Sequence, residues 1–160
     1  MTGLPCCDRP GHDLDGHLDD AGHHYNLRVQ FEDTDAGGIV YHAKYLAFAE
    51  RARSAWLRCV GIDQRSLLNG SDAGFVVRHI AIDFMEVAKL FAILEITTEV
   101  IKIGGASVNL QQTITNAQSC HIVARLLVDI GFVSLQKKEN ARARRMPKVL
   151  REKLSFGSEN

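Results

Sequence analysis

The residues that could do chemistry lie close together, in Phe31-Glu-Asp-Thr-Asp-Ala-Gly-Gly-Ile-Val-Tyr-His-Ala-Lys-Tyr-Leu-Ala-Phe-Ala-Glu-Arg-Ala-Arg53. Asp33 and Asp35 precede the Gly37-Gly38 pair, and His42 follows at the expected start of a helix. A strand end that delivers carboxylates, a pliable turn and a helix N-terminus with free N–H groups form a combination that suits acyl transfer. The carboxylate attacks a carbonyl or activates water, and the helix-terminal amides stabilise the developing oxyanion. A thioester makes the least demand on such a site. Its leaving thiolate belongs to a thiol of pKa about 8.5 and departs without a strong general acid, so one carboxylate and one oxyanion site suffice. The competing role for an aspartate in a glycine-rich turn is to cap that turn through an Asx-type hydrogen bond.

Positioning these residues falls to the flanking elements. Leu27, Val29 and Phe31 alternate with Arg28, Gln30 and Glu32, the pattern of a half-buried strand, which the turn residues from Asp33 to Gly38 end. Tyr45, Leu46, Phe48, Ala49, Ala52, Ala55, Trp56, Cys59 and Val60 then recur at spacings of three and four, which predicts one long amphipathic helix stopped near Gly61. Strand-like segments rich in Val, Ile, Leu and Thr follow at 75–84, 93–103, 106–116 and 120–135, with Gly104-Gly105 as a hairpin turn. One helix followed by consecutive strands predicts an α+β fold, the helix packed on an antiparallel sheet. The last segment is apolar on both faces, more than one helix can cover, so a second subunit is expected.

Composition narrows the function classes. The chain of 160 residues balances 19 Lys+Arg against 19 Asp+Glu, which removes the basic field that a nucleic-acid binder uses to collect phosphates. Arg125 and Asp129 interrupt the most apolar stretch, so no membrane span is expected, and without a basic-then-apolar leader the chain is expected to stay in the cytoplasm. Residues 1–24 hold no periodic apolar positions and read as a disordered leader. Cys6, Cys7, His12, His17, His23 and His24 are metal-ligating types there, but no two of them sit on an expected rigid element, so no metal site is expected. Cys59 and Cys120 read as reduced core filler. The one cationic concentration, which includes Lys137, Lys138, Arg142, Arg144 and Arg145, reads as a solvated tail with a short helix after Pro147, or as a phosphate contact.

The string EDTDAGGIVYHAKYLAFAERAR resembles the signature of the YbgC-type acyl-CoA thioesterases, relatives of 4-hydroxybenzoyl-CoA thioesterase in the hotdog-fold superfamily. The resemblance implies a hotdog domain over 25–154 followed by a tail over 155–160, in which an antiparallel sheet wraps one long helix. It implies a homodimer or homotetramer with active sites at the subunit interface, and hydrolysis of acyl-CoA without metal or other cofactor. Carried over by position, Asp35 is the catalytic carboxylate and His42 orients water or substrate, with Asp33 outside the chemistry. Gly38, Tyr41 and Tyr45 are expected at the substrate, and Arg144 and Arg145 at the coenzyme A phosphates. Glu50, the type of helix residue that other hotdog thioesterases use as catalyst, reads as structural beside Asp35. Acyl carrier protein is a further expected partner. A non-catalytic acyl-binding module of envelope lipid metabolism, associated with the Tol-Pal system, is the alternative that the resemblance allows. Two departures from the family pattern stand out: Phe31 in place of a tyrosine four residues before Asp35, and Val87-Ala-Lys-Leu-Phe-Ala92 in place of an acidic Pro-Ala-Arg-Leu-Asp-Asp edge.

Overall fold

The structure is a computed structural model that describes residues 14–135 and 141–155. Its elements run β1 (His17–Asp19), β2 (Gly22–Arg28), α1 (Lys44–Cys59), α2 (Gln64–Ser71), β3 (Ala73–Phe84), β4 (Ile93–Ile103), β5 (Ser107–Asn116), β6 (Ile122–Ser134), β7 (Arg142–Ala143) and α3 (Lys148–Leu154). The strands form one sheet in the order β1-β2-β4-β5-β6-β3, every pair antiparallel, with β7 added to β6. Two antiparallel hairpin steps, β4 to β5 to β6, need only short turns, and the Gly104-Gly105 turn closes with Gly104 N–H donating to Ser107 O at 2.8 Å.

Helix α1 lies across this sheet because its apolar stripe has nowhere else to be buried. Phe48, Ala49, Ala52, Ala55 and Trp56 are all buried, and the small alanines let the helix backbone approach the strands. Leu46, expected on that stripe, faces outward instead. Even-numbered residues of β4 and β5, among them Leu94, Ile96, Leu110 and Ile114, complete the core beneath the helix. Helix α3 follows Pro147 as expected, and it is anchored by Leu150 and Leu154. Helix α2 escaped the periodicity reading because its residues, Gln-Arg-Ser-Leu-Leu-Asn-Gly-Ser, are mostly polar. Its start is nevertheless capped by Asp63, which accepts from Arg65 N–H at 2.9 Å and from Ser66 Oγ at 2.6 Å.

Three expectations need correction. The first strand ends at Arg28 rather than continuing to Glu32, because Asp33 folds back on Gln30 and turns Phe31–Asp33 into a single 3-10 turn, leaving Phe31 72% exposed. The leader is not disordered over its second half: residues 17–24 form the β1–β2 hairpin at the edge of the sheet, whereas Cys6, Cys7 and His12 lie outside the described residues. Leu18 packs against the margin of the core, and polar contacts hold the rest of the hairpin. Asp15 pairs with Arg58 at 2.7 Å, its carbonyl accepts from His23 Nε2 at 2.6 Å and from Cys59 Sγ at 3.4 Å, and His23 is buried. Gly16 approaches so closely that a Cβ there would stand 1.9 Å from His24 O. Finally, Cys120 is exposed in the β5–β6 turn, so it is not core filler, while Cys59 is half-buried.

Candidate active site

The segment between the 3-10 turn and α1 folds into a small hairpin. Its base is the hydrogen bond from Tyr41 N–H to Asp33 O at 2.8 Å, and its stem is the bridge between Thr34 and Val40. The two aspartates have separate tasks. Asp33 is buried: its Oδ2 accepts from Gln30 N–H at 2.8 Å, and its Oδ1 lies 3.5 Å from Lys44 Nζ. That carboxylate locks the 3-10 turn and ties it to the first turn of α1. Asp35 is exposed at the hairpin tip. Its Oδ1 accepts from Gly37 N–H at 2.8 Å, the Asx-type contact that the turn chemistry anticipated, which leaves the second carboxylate oxygen outside that contact. A Cβ at position 37 would come within 3.1 Å of this Oδ1, and Gly38 has a positive φ of 75° in open space, so the two glycines answer different demands. Gly38 N–H is spent on Asp35 O at 3.0 Å.

His42 and Ala43 carry the chain from the hairpin base into α1, with Lys44 N–H donating to Tyr41 O at 2.8 Å. His42 therefore stands two residues ahead of the helix rather than in it, exposed, with its ring tilted against Tyr41 at 4.5 Å. The N-cap of α1 is Ala43, whose side chain accepts nothing, and the first turn contains no acid. The positive end of this 16-residue helix thus meets no side-chain anion of its own first turn. Tyr41 is half-exposed beside His42, but Tyr45 is buried, its ring against Phe48 and Phe84 and its hydroxyl accepting from Ala88 N–H at 3.3 Å. Burial pushes the Tyr45 hydroxyl above the ordinary tyrosine range.

The loop that departs from the expected acidic edge walls this site. Ala88 O accepts from Val40 N–H at 2.9 Å, Lys89 bridges Ile39, and Phe91, at φ 64°, stacks edge-on against Phe31 at 5.3 Å. Exposed Phe31, Tyr41 and Phe91 form an apolar rim beside the Asp35 turn, and Phe84, Met85 and Val87 are exposed along the chain that leads into the Ala88 loop. Sequence reading flagged this loop only as an altered edge. Its contact with the turn comes from a pairing some fifty residues apart in the chain that no local pattern encodes.

Other expected site residues are not brought to Asp35 within the chain. Arg144 N–H donates to Phe132 O and its guanidinium to Ser71 O at 2.7 Å, beside the Ala73 end of β3, whereas the Asp35 turn packs near its Phe84 end. The 12 residues of β3 separate those ends by roughly 35 Å, at about 3.3 Å per residue. Lys137 and Lys138 lie outside the described residues. Glu50 pairs with Arg53 at 2.5 Å, and the buried Arg53 also donates to Gln112 Oε1 at 2.7 Å, which fits the structural reading of Glu50. An apolar cavity of about 180 Å³ opens beside this pair between α1 and β3, lined by Trp56, Leu57, Phe75, Val108 and Ile130 among others, and it includes none of the residues around Asp35.

Comparison with known proteins agrees with this architecture. Residues 29–154 match the thioesterase-like superfamily. The chain is 40% identical over 118 residues to the acyl-CoA thioesterase YbgC of Haemophilus influenzae, covering 74% of this chain and 85% of that protein. It is similar to the crystal structure of a probable thioesterase from Bartonella henselae at 34% identity and a TM-score of 0.71, covering 78% of this chain and 98% of that one. A 4-hydroxybenzoyl-CoA thioesterase crystallised with 4-hydroxybenzoyl-CoA shares the fold at a TM-score of 0.75 and 18% identity, over 81% of this chain and 96% of that one.

Proposed function

The chain belongs to the YbgC acyl-CoA thioesterases of the thioesterase-like superfamily, hotdog enzymes that hydrolyse acyl-CoA thioesters, and from that premise we propose that Asp35 carries the reaction. The observation that supports this assignment is the division of labour in the turn: Asp33 is buried and committed to the fold, while Asp35 is exposed just ahead of an α1 N-terminus that has no side-chain cap. Asp35 either attacks the thioester carbonyl carbon or takes a proton from the water that does. In both routes the carbonyl oxygen becomes an oxyanion facing the helix-terminal amides, and its collapse breaks the C–S bond and expels coenzyme A as a thiolate; after direct attack, water then hydrolyses the mixed anhydride on Asp35 to free the acid and restore the carboxylate. His42 orients water or the acyl group from its exposed position, Gly38 permits the turn that presents Asp35, and Tyr41 and the apolar rim receive the acyl chain. Tyr45 acts one layer deeper, by holding the Ala88 loop against the turn.

The functional unit is an oligomer, a dimer or a tetramer. Among the described residues β3 pairs with β6 alone, so a 12-residue strand presents one open edge next to the exposed Val77 and Phe84. A second copy across that edge would wall the open side of the Asp35 turn and bring Arg144 and Arg145 to the phosphates of a coenzyme A bound by its neighbour. Among the described residues no helix is long and apolar enough to cross a membrane. Free thiols at Cys59 and Cys120 suit a cytoplasmic enzyme, and acyl carrier protein, whose thioester is chemically the same, is a second source of substrate.

Phe31 supports one other reading. A phenyl ring stands where the family pattern has a tyrosine, so a hydroxyl is lost beside the turn, as expected of a module that binds acyl thioesters without cleaving them. Thiol release from a panel of aliphatic and aromatic acyl-CoAs separates the two readings. Turnover of at least one substrate is expected, and saturable binding without thiol release from any of them would assign the chain to the binding class.

A further inference from the structure

Strands β1 and β2 lie outside the matched family region and contain a group of side chains with no part in hydrolysis. His17 and His24 face each other directly across the two strands, their rings stacked at 5.0 Å and 13° apart. Asp19, two residues along β1 from His17, points to the same face, and donor atoms of all three lie within 4.8 Å of one another. An ion held at 2.0–2.2 Å by such ligands needs donors about 3.3 Å apart, so the widest donor separation has at most about 1.5 Å to close. His24 Nε2 and Asp19 Oδ1 already stand 3.0 Å apart.

The cluster is also oriented from behind. Glu95, on β4, lies 3.1 Å from the other ring nitrogen of His24, Nδ1. A carboxylate there accepts a hydrogen bond from Nδ1–H, which puts the lone pair on Nε2, the nitrogen beside Asp19, in the carboxylate–imidazole relay that positions metal-binding histidines. Asp19 is fixed in turn by Ala21 N–H, which donates to its Oδ1 at 2.8 Å. We propose that His17, Asp19 and His24 form a binding site for a borderline divalent cation such as zinc, with Glu95 as the positioning residue and water completing a tetrahedral shell. Two imidazoles and one carboxylate suit zinc and its neighbours rather than calcium or magnesium, which take oxygen donors. The site joins β1 to β2 at the edge of the sheet, where Leu18 is the one residue of β1 packed against the core. It also removes the ground on which these histidines were expected to be idle, because two of them now sit on rigid, paired strands.

Calorimetric titration of zinc chloride into the full chain tests this, in a Cys6→Ser, Cys7→Ser background so that adjacent thiols cannot hold the ion. One zinc ion per chain is expected, and binding weakened about tenfold or more by His17→Ala, Asp19→Asn or His24→Ala. Glu95→Gln should weaken it by about 10–100-fold, the usual scale for a partner behind a ligand. Cobalt in place of zinc should give the visible absorption of a tetrahedral site, and His24→Ala should abolish that absorption. His17 and Asp19 are exposed, so their variants remain folded and decide the matter even if His24→Ala does not fold. No stoichiometric binding, or an isotherm indifferent to His17→Ala and Asp19→Asn, would leave the cluster as a histidine held between carboxylates and overturn the proposal.

Discussion

Asp35 is exposed on a turn in which Gly38 takes a positive φ and Gly37 lies close to the Asp35 carboxylate, and His42 stands two residues ahead of α1. Phe31 is the residue that local pattern misread: alternation placed it inside a strand, but a buried carboxylate two positions later bends the backbone first. His42→Ala should therefore reduce turnover less than loss of Asp35, because the imidazole is exposed while the backbone N–H survives. Full activity of His42→Ala between pH 5 and 8, followed by thiol release, would leave only the helix terminus in that role. The cysteines give a second residue-scale test. Burial, and then the charge of Asp15, push the Cys59 thiol up, so less of it is thiolate near neutral pH, whereas Cys120 is exposed. Alkylation mapped by peptide mass should label Cys120 well before Cys59, and equal rates would contradict the packing of Asp15 over Cys59.

Among the elements, α1 and the four long strands were legible because each carries a sustained apolar period, and their observed ends fall within about two residues of expectation. The β1–β2 hairpin was not legible. It is short, has no apolar alternation, and is secured by Asp15, Gly16 and His23 through partners such as Arg58 that lie far along the chain. Deleting residues 1–22 strips this edge and leaves the buried His23 ring without Asp15, a loss worth about 1–3 kcal/mol. The truncated chain should melt several degrees lower yet hydrolyse acyl-CoA at an unchanged kcat, since the Asp35 turn lies beyond the opposite end of β2. An unchanged melting temperature would mean that the hairpin adds nothing to stability, and a lost kcat would tie it to the site.

At the scale of the whole molecule, the apolar sheet faces raised the expectation of a second subunit but not of where Arg144 would stand, because its distance from Asp35 is set by the length of β3. If Arg144 and Arg145 reach a neighbour's coenzyme A, neutralising both should raise KM several-fold at low salt with little change in kcat, since the nucleotide is held alike in ground and transition states. The effect should fade as salt screens the charges. A KM that stays put in an assembled double variant would remove both arginines from substrate binding and leave Arg144 with its contact to Ser71. All of this depends on one carboxylate. Thiol release by Asp35→Asn, set beside Asp33→Asn and the parent chain at matched oligomeric state, tests it most directly. The exposed Asp35 should be dispensable to the fold and its loss should cut kcat/KM by about 100-fold or more, while loss of the buried Asp33 should appear chiefly as a lower melting temperature. An Asp35→Asn variant that hydrolyses acyl-CoA as fast as the parent would contradict the account.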